Sequence, residues 1–505
     1  MTAGVSFKMA KEYYLGIDQG TTGTTSLILD EDWNICSRGY TEHTQYYPQP
    51  GWVEHDPIEI WDKTIESVSI ALHNANLRAD DLRVIGLDNQ GETCMVWDKN
   101  TGKPIYNAIV WQDRRTAKQS DELKETHGDM ITEKTGVQVD AYFSALKIKW
   151  ILDNVEDAWK KVERGELLVG TLDTWLLWKM TGGEIYMTDP STASRTMMFN
   201  LHTKQWDEEI LKIIGIPRSI LPVINDTIMT YGNTSPDDFF DAEIPIAGSI
   251  VDQASALFGQ VCFEEGSIKT TYGTGCFMLM NTGNKPIQSQ NGLLTTVVWS
   301  IDKEITYALD GGVYIAGAAI QWLRDGIKII DSAAETEAMA KSVKDTGGVT
   351  FVPAFVGLAA PYWDQYARGM MIGITAGTTR EHIVRATLEA IAFQVAENLD
   401  VMRVDSGMDI DVMRVDGGAV VNQFLMQFQS DILGIPIDVP VINETTALGA
   451  ATLAALGIGD FKSLDDISSI WKLSKRYEPK INEDERHSMI EQWKRAVKRS
   501  QRWVE

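Results

Sequence analysis

Cysteine and histidine are scarce in this sequence, and neither is arranged for metal or redox chemistry. The seven histidines lack metal-site spacing, and the four cysteines are too far apart to form the short pairs that bind zinc or exchange disulfides. We expect most histidines to pack in the core or to lie at the surface. The cysteines are expected to be reduced core thiols: Cys36, Cys94, Cys262 and Cys276.

Positive charge is also in short supply, since 46 lysines and arginines oppose 71 aspartates and glutamates, a net charge of -25. Nucleic acid and anionic membranes are poor partners for so acidic a chain, although a locally basic phosphate pocket is compatible with it. No apolar stretch approaches the roughly 20 residues that cross a bilayer, and the first ten residues lack the apolar core of a signal peptide. We expect a soluble, cytoplasmic protein without membrane insertion.

The length of the chain excludes a single compact core, because 505 residues exceed the size of most domains. Hydrophobic residues make up 44% of the chain, which is a normal share for a globular protein and enough for sizeable cores. Two large domains, or three smaller ones, are predicted.

A Gly-Thr-rich turn at 18–25 lies between two apolar runs, 13–17 and 26–29, in the pattern strand, tight turn, strand. Its glycines permit backbone angles that other residues resist, and its hydroxyls and backbone amides suit a phosphate group. Asp18 ends the first strand and adds a carboxylate able to hold a magnesium ion through water. An ordinary hairpin turn is the alternative for one such segment.

The same chemistry recurs within 266–280, where Gly273-Thr274-Gly275 again separates two apolar strands. The repetition predicts a domain boundary near 256–264, with each half beginning from its own strands and turn. Asp416-Gly417-Gly418-Ala419 forms a third Gly-rich turn. Because no single turn reaches both ends of ATP, the three together predict a cleft that binds a nucleotide for phosphoryl transfer.

Asp252 is the candidate catalytic base. It lies at a predicted strand-to-helix junction near the boundary between the halves, where a cleft would bring it to the acceptor hydroxyl. A helix N-cap is the alternative role, since aspartate is favoured at that position as well.

Apolar periodicity predicts further elements along the chain. Helices are predicted at 144–154, 380–404 and 423–433. The segment 309–329 is predicted to begin the later helices, and 446–456 to form the last helix of the C-terminal domain.

Several segments resemble the FGGY family of carbohydrate kinases, and within it the glycerol kinases. The segment 142–150, Tyr-Phe-Ser-Ala-Leu-Lys-Ile-Lys-Trp, is similar to the first signature of the family, and 369–389 contains residues similar to the second. The resemblance extends from about Tyr14 to Asp460. Shorter family-like segments lie at 18–22, 51–55, 194–196 and 272–275.

This resemblance implies an α/β chain with the actin-like ATPase (ribonuclease-H-like) fold, in which two domains enclose a cleft for ATP and acceptor. The implied domains are 1–258, with the acceptor site and first phosphate turn, and 259–505, with the second phosphate turn and adenosine site. The implied reaction transfers the γ-phosphate of ATP, with Mg2+, to a primary hydroxyl of a polyol, so that glycerol gives glycerol 3-phosphate. A homodimer or homotetramer is implied as well.

The resemblance also assigns roles to individual positions, with Asp252 as catalytic base and Asp18 holding magnesium through water. The implied polyol contacts are Glu92, Trp111, Tyr142, Asp252, Gln253 and Phe277. The implied nucleotide contacts are Thr21, Thr22, Gly273, Thr274, Gly317, Gln321, Gly418 and Asn422.

Three positions depart from the family pattern. Gly91 and Thr25 stand where glycerol kinases carry arginines, one donating to glycerol and one near the terminal phosphates. Losing one charge-assisted donor costs on the order of 1.5 to 3 kcal/mol, roughly 10- to 150-fold in binding. We expect Gly91 to leave a hole that water fills or a larger acceptor occupies. Asp238 stands where some relatives are phosphorylated on a histidine, so that switch is expected to be absent.

Three hypotheses follow. The first is an ATP-dependent glycerol kinase, and the second is a kinase of the same family for a longer polyol or a ketose, prompted by Gly91. The third is a nucleotide-binding sensor with weak or no catalysis, prompted by Gly91 together with Thr25.

Overall fold

A computed structural model describes residues 12–504, which divide into two compact units. Unit 1 comprises 12–261, 296–307 and 445–470, and unit 2 comprises 262–295, 308–444 and 471–504. The first ten residues, on which the signal-peptide prediction depends, lie outside the described residues. Within the described part of the chain, no helix is long and apolar enough to span a membrane.

The β-strands are given in chain order. They are β1 (Tyr13–Gln19), β2 (Gly23–Leu29), β3 (Ile35–Glu42), β4 (Glu54–His55), β5 (Leu82–Asn89), β6 (Cys94–Asp98), β7 (Lys103–Pro104), β8 (Ala108–Ile109), β9 (Leu167–Thr171), β10 (Met187–Thr188), β11 (Phe199–Asn200), β12 (Gln205–Trp206), β13 (Val223–Ile224), β14 (Ile228–Asn233), β15 (Pro245–Val251), β16 (Ile268–Tyr272), β17 (Cys276–Gly283), β18 (Leu294–Ile301), β19 (Glu304–Val313), β20 (Thr350–Val352), β21 (Met370–Ile372), β22 (Met413–Asp416), β23 (Ile437–Pro440) and β24 (Leu473–Tyr477).

The α-helices follow in the same way. They are α1 (Pro57–Ala75), α2 (Ala117–Thr135), α3 (Ser144–Asn154), α4 (Ala158–Glu163), α5 (Leu172–Met180), α6 (Pro190–Ala193), α7 (Glu208–Ile214), α8 (Asp252–Gly259), α9 (Gly317–Gln321), α10 (Glu335–Ser342), α11 (Arg380–Ser406), α12 (Gln423–Leu433), α13 (Thr445–Gly457), α14 (Leu464–Ser468) and α15 (Glu483–Ser500).

Unit 1 contains a six-stranded mixed sheet in the order β14-β15-β5-β1-β2-β3. β1 and β2 are antiparallel, whereas β1, β5 and β15 run parallel. Asp18 on β1 pairs with Thr25 on β2 and with Asp88 on β5. Because paired residues of neighbouring strands project to the same side, these three side chains share one face of the sheet.

Helix α13 packs against that face at very short distances. A Cβ atom added to Gly16 would lie 2.0 Å from the carbonyl oxygen of Ala447, and one added to Gly86 would lie 1.8 Å from that of Ala450. Only glycine leaves room for a helix backbone so close to a strand. α13 also crosses α8, and a Cβ at Gly449 would lie 2.0 Å from the carbonyl oxygen of Ser255.

A second sheet has seven strands in the order β18-β19-β17-β16-β22-β23-β24, and all of it lies in unit 2 except residues 296–301 of β18 and 304–307 of β19. Its inner order β19-β17-β16-β22-β23 repeats the order β3-β2-β1-β5-β15 of unit 1, with β16 antiparallel to β17 and parallel to β22. The predicted α/β actin-like fold is therefore confirmed, including its repetition in the two halves.

The predicted helices at 144–154 and 423–433 match α3 and α12, and α11 extends the predicted 380–404 by two residues. The prediction that 309–329 begins with helix is wrong for 309–313, which lie in β19. Leu309 there is fully buried within a sheet, and a short apolar run has no periodicity that separates strand from helix.

The last helix predicted for the C-terminal domain, α13, belongs instead to unit 1. Local sequence shows that its small residues allow close packing, but not which sheet they pack against. The contiguous limits 1–258 and 259–505 remain a prediction, since both units are assembled from separate stretches of chain.

All four cysteines are free thiols, and three are buried. The prediction of a core position is wrong for Cys36, which is exposed at the start of β3. β3 is the edge strand of its sheet, so one of its sides is not covered by a neighbouring strand.

Candidate active site

Side-chain amides hold the first Gly-Thr turn in place. The amide of Gly20 donates to the carbonyl of Gly23 at 3.0 Å. Gln19 and Gln90 both donate to the carbonyl of Gly20, at 2.8 and 3.2 Å, and Gln45 donates to the carbonyl of Thr21 at 2.9 Å. The turn is thus fixed by contacts from several parts of the chain, which no local pattern at 18–25 reveals.

A buried histidine contacts one of these glutamines, Gln45. His55 Nε2 lies 2.7 Å from Oε1 of Gln45. Burial lowers the pKa of His55 to about 3, so its ring remains neutral at physiological pH. His55 therefore orients the glutamine that holds Thr21.

The turn is joined directly to two of the predicted polyol residues. Trp111 follows β8, and its indole Nε1 donates to Thr21 Oγ1 at 2.9 Å. The rings of Trp111 and Tyr142 meet edge to face at 5.6 Å. Within unit 1, the structure thus brings together Thr21, Trp111 and Tyr142.

Tyr142 precedes α3 and is held through its backbone. Its amide donates to Asp140 Oδ1 at 2.8 Å, and its carbonyl accepts from Lys147 Nζ at 2.5 Å. Burial lowers the pKa of Lys147 to about 8. Ser144 Oγ donates to the carbonyl of Glu92 at 3.0 Å, which ties the start of α3 to the next predicted polyol residue.

Glu92 forms a buried ion pair with Arg195, whose Nε lies 2.6 Å from Glu92 Oε1. The guanidinium carbon of Arg195 lies 5.8 Å from the ring centroids of Tyr142 and Phe143. Sequence reasoning assigned no role to Arg195. The only signal was its place in the family-like segment 194–196.

The space beside Gly91 is occupied, contrary to the predicted hole. A Cβ atom added to Gly91 would lie 2.5 Å from Cγ2 of Val251 and 2.9 Å from Cγ of Arg195. The expectation that water or a larger acceptor fills a vacancy there is therefore wrong. Val251 and Arg195, which are distant in sequence, fill the space. The missing side chain alone therefore could not show whether a vacancy forms.

Asp252 is the first residue of α8, directly after β15, and is half-buried. The cap residue of α8 is Val251, and no side chain caps this helix. Asp252 Oδ1 instead accepts from the amide of Gln253 at 2.6 Å. The alternative role of N-cap is thus not the one that Asp252 adopts.

Asp88 is a further carboxylate that the sequence reasoning left without a role. It is fully buried, and neither of its oxygens has a hydrogen-bond partner among the described residues. Burial raises the pKa of Asp88 well above its ordinary value, and the nearby carboxylates of Asp18 and Asp252 raise it further. Buried carboxylate oxygens beside Asp18 fit a hydrated divalent cation. Across residues 12–504, no group of three or more acidic, histidine or cysteine side chains is placed so that it could hold a metal ion.

The side chain of Thr25 accepts a hydrogen bond from an arginine on the neighbouring strand. Arg38 Nη2 donates to Thr25 Oγ1 at 3.4 Å. Arg38 is exposed, whereas Thr25 is buried. A guanidinium is therefore present near Thr25, a position where the family resemblance implied an arginine.

The second turn, in unit 2, is bound to the start of α9. Gly273 donates to the carbonyl of Gly275 at 2.9 Å and accepts from the amide of Gly317 at 3.0 Å. A Cβ at Gly317 would lie 2.5 Å from that same oxygen of Gly273, so glycine is required there. Gly273 and Thr274 are exposed, which leaves the turn accessible.

The remaining unit 2 candidates lie on α12, at the turn after β22, at the end of α9 and on β17. Asn422 caps α12 by accepting from the amide of Leu425 at 3.0 Å, and its own amide donates to Thr336. Gly418 and Gln321 are exposed, at the Gly-rich turn after β22 and at the end of α9. The ring of Phe277, on β17, would lie 3.7 Å from a Cβ added to Gly312.

Comparison with known proteins agrees with the fold described above. Residues 13–259 match the N-terminal domain of the FGGY family of carbohydrate kinases, and 268–458 match its C-terminal domain. The chain belongs to the FGGY family of carbohydrate kinases.

Its similar relatives include glycerol kinase 2 of Thermotoga maritima, 57% identical over 97% of this chain and 99% of the relative. Glycerol kinase of Petrotoga mobilis is 54% identical over 98% of this chain and 99% of the relative. Among solved structures, Plasmodium falciparum glycerol kinase with ADP is similar with a TM-score of 0.89 and 38% identity, covering 97% of this chain and 98% of that one.

Proposed function

We propose that this protein is an ATP-dependent glycerol kinase, which phosphorylates glycerol to glycerol 3-phosphate. The observation that carries the proposal is the continuous set of contacts in unit 1 from Thr21 of the phosphate turn through Trp111 to Tyr142. Full-length relatives named glycerol kinase support the same reaction.

The polyol chemistry follows from the residue types. Asp252 accepts the proton of the attacking primary hydroxyl, because its carboxylate is half-buried at the start of α8, directly after β15. Glu92 accepts hydrogen bonds from the other hydroxyls. The rings of Trp111 and Tyr142 cover the carbon side of a small polyol.

The phosphate chemistry is assigned to the two turns, with Thr21 and Thr22 at the terminal phosphates and Gly273 and Thr274 at the second turn. Asp18 would hold Mg2+ through water, and the orphaned oxygens of Asp88 would face the same hydrated ion. Bound Mg2+ neutralises charge on the transferring phosphates. The nucleotide is assigned to residues of unit 2: Gly317, Gln321, Gly418 and Asn422.

A coupled assay of ADP formation tests the proposal, with glycerol and a panel of longer polyols and ketoses as acceptors. Glycerol should be the best acceptor. Asp252→Asn should lower kcat by about 10²- to 10⁴-fold, because the base is lost while the shape is kept. Asp157→Asn, at an exposed carboxylate, is the control. No glycerol-dependent ADP formation, with turnover of another acceptor, would reject the proposal.

Two alternative functions were considered, a kinase for a longer acceptor and a catalytically weak sensor. A longer acceptor was prompted by a hole at Gly91, and that space is filled. A catalytically weak sensor predicts ATP binding without turnover for every acceptor in the same assay. A cytoplasmic location and a homodimer or homotetramer complete the proposal, and sedimentation would test the assembly.

A further inference from the structure

A fully buried lysine lies beside the proposed acceptor residues, and the phosphoryl transfer proposed above does not use it. Lys147 is in the first turn of α3. Lysine is almost never fully buried, because its ammonium group loses its hydration there. The Nζ of Lys147 donates to the carbonyl of Tyr142 at 2.5 Å. The buried charge is therefore compensated by a residue of the proposed acceptor site.

Charged side chains hold both backbone polar groups of Tyr142. Its amide donates to Asp140 Oδ1 at 2.8 Å, and its carbonyl accepts from Lys147. Phe143 is the cap residue of α3, so the helical hydrogen bonds begin after Tyr142 and do not include its carbonyl. The position of Tyr142 thus depends on a side-chain bond from Lys147 that helix formation alone does not supply.

The ring of Tyr142 is held against a second aromatic ring of the proposed acceptor site. It meets the ring of Trp111 edge to face at 5.6 Å, and the two rings would cover the carbon side of a small polyol. The backbone of Tyr142 sets where its ring lies, since a side chain adopts only a few staggered rotamers relative to its backbone. Loss of the bond from Lys147 would therefore move this ring relative to Trp111.

The surroundings of Lys147 make its ammonium easier to deprotonate than that of an exposed lysine. Burial lowers the pKa of Lys147 to about 8. The titratable and charged groups near it are Cys94, Glu92, Asp113 and Arg114. The first three oppose the lowering of its pKa, and the arginine adds to it. Glu92 is itself paired with Arg195, whose Nε lies 2.6 Å away. Lys147 is therefore an ammonium below about pH 8 and a neutral amine above it.

We propose that Lys147 is a positioning residue of the acceptor site, whose ammonium holds the backbone of Tyr142 so that its ring faces the polyol together with that of Trp111. Lys147 acts through Tyr142 rather than by contact with glycerol. A hydrogen bond from an ammonium is roughly twice as strong as one from a neutral donor, so glycerol binding weakens when Lys147 loses its proton. This inference rests on the proposed glycerol kinase function and deepens it.

The pH dependence of the wild-type kinetics tests this role without a substitution. The KM for glycerol, at saturating ATP, should be lowest where Lys147 is an ammonium and should rise roughly 2- to 10-fold as pH increases through about 8. The KM for ATP, at saturating glycerol, should change less. Lys147→Arg keeps a charged donor over the whole range, so its glycerol KM should not rise with pH.

Lys147→Met removes the donor and keeps an unbranched apolar side chain in the same space. At neutral pH it should raise the KM for glycerol roughly 10-fold or more, the loss of one charge-assisted bond, with no further rise at higher pH. Lys149→Met is the matched control, since the side chain of Lys149 lies on the same helix but is 29% exposed and pairs with Asp153. The control should keep the wild-type KM values and their pH dependence.

The outcomes separate this inference from the function on which it rests. If the wild-type protein shows no glycerol-dependent turnover at any pH, the proposed function fails first. If it turns over glycerol and Lys147→Met leaves the glycerol KM unchanged, or raises both KM values by the same factor as a general loss of structure would, the positioning role is overturned. Should neither Lys147 variant fold by circular dichroism, the wild-type pH profile decides. A rise in the glycerol KM alone supports the role, and a constant glycerol KM or a parallel rise in both overturns it.

Discussion

At the scale of single residues, the candidate site depends on a few polar contacts between distant parts of the chain. The indole of Trp111 meets the hydroxyl of Thr21, and the carboxylate of Glu92 meets the guanidinium of Arg195. Each contact joins a group assigned to phosphate or polyol with a group from another element.

Removing the donor of Trp111 should loosen the link between turn and acceptor site. Trp111→Phe keeps an aromatic face but loses the bond to Thr21 Oγ1. A typical hydrogen bond contributes about 0.5 to 1.5 kcal/mol, so catalytic efficiency should fall roughly 2- to 10-fold. Steady-state assays with glycerol would measure it. Trp159→Phe on α4, which loses the hydrogen bond from its Nε1 to Asp153, is the control; an equal loss in both variants would contradict the prediction.

At the scale of elements, α13 decides where α8 and Asp252 lie. Its backbone contacts the sheet at Gly16 and Gly86 and contacts α8 at Gly449. A methyl group added to one of these glycines would contact a backbone carbonyl oxygen. The neighbouring backbone, rather than a flexible side chain, would therefore have to move.

Gly449→Ala should therefore damage both stability and activity. The added methyl would lie 2.0 Å from the carbonyl oxygen of Ser255, three residues after Asp252. Overpacking of this kind costs about 1 to 3 kcal/mol. Thermal unfolding and the coupled assay would both report it. Gly128→Ala, inside α2, should instead be neutral or stabilising by about 0.5 to 1 kcal/mol. An unchanged melting midpoint for Gly449→Ala would contradict the packing.

Helix α11 contains a buried carboxyl that should make stability depend on pH. Burial raises the pKa of Glu397 to about 7, and the hydroxyl of Tyr362 donates to it. The folded protein holds this proton more tightly than the unfolded chain does. The stabilisation is therefore complete below the ordinary glutamate pKa and is lost as pH rises through about 7.

Glu397→Gln should remove this loss, which is on the order of 3 kcal/mol. Unfolding midpoints at pH 5 and pH 8 should differ less in the variant than in the wild-type protein. Glu389 on the same helix has a pKa raised to about 7 and should leave part of the dependence in place. Glu304→Gln, at an exposed position, is the control. An unaltered difference between the two pH values would count against the buried acid.

At the scale of the whole molecule, two units of the same topology contain different sets of candidate residues. Unit 1 contains the first turn and the proposed acceptor residues other than Phe277, and unit 2 contains Phe277, the second turn and the proposed nucleotide residues. Ligands of the two classes should therefore both stabilise the folded chain.

Glycerol and a non-hydrolysable ATP analogue should each raise the melting temperature. A ligand at 100 times its Kd stabilises the state it binds by about 2.7 kcal/mol. Differential scanning fluorimetry would measure the shift. Omitting magnesium should reduce the shift given by the analogue but not that given by glycerol. A polyol that is not a substrate is the control, and equal shifts for it and glycerol would contradict specific binding.

Much of the fold was predictable because its signals are local. The Gly-Thr turns at 18–25 and 273–275, the strand-to-helix junction at Asp252, and α3 and α12 follow from residue types and spacing over a few positions. The family resemblance added the pairing of the two halves. These features depend on backbone angles and periodicity, which neighbouring residues set.

Contacts between distant segments were decided only by the tertiary structure. Nothing near 445–457 indicates that α13 packs in unit 1, and nothing near Gly91 indicates that Val251 and Arg195 fill its space. Side-chain volume and hydrogen-bond partners there come from residues that are neighbours in space but distant in the chain. The sequence by itself therefore determined most of these elements, the two Gly-Thr turns and the family. The tertiary structure decided which arginine stands beside Glu92.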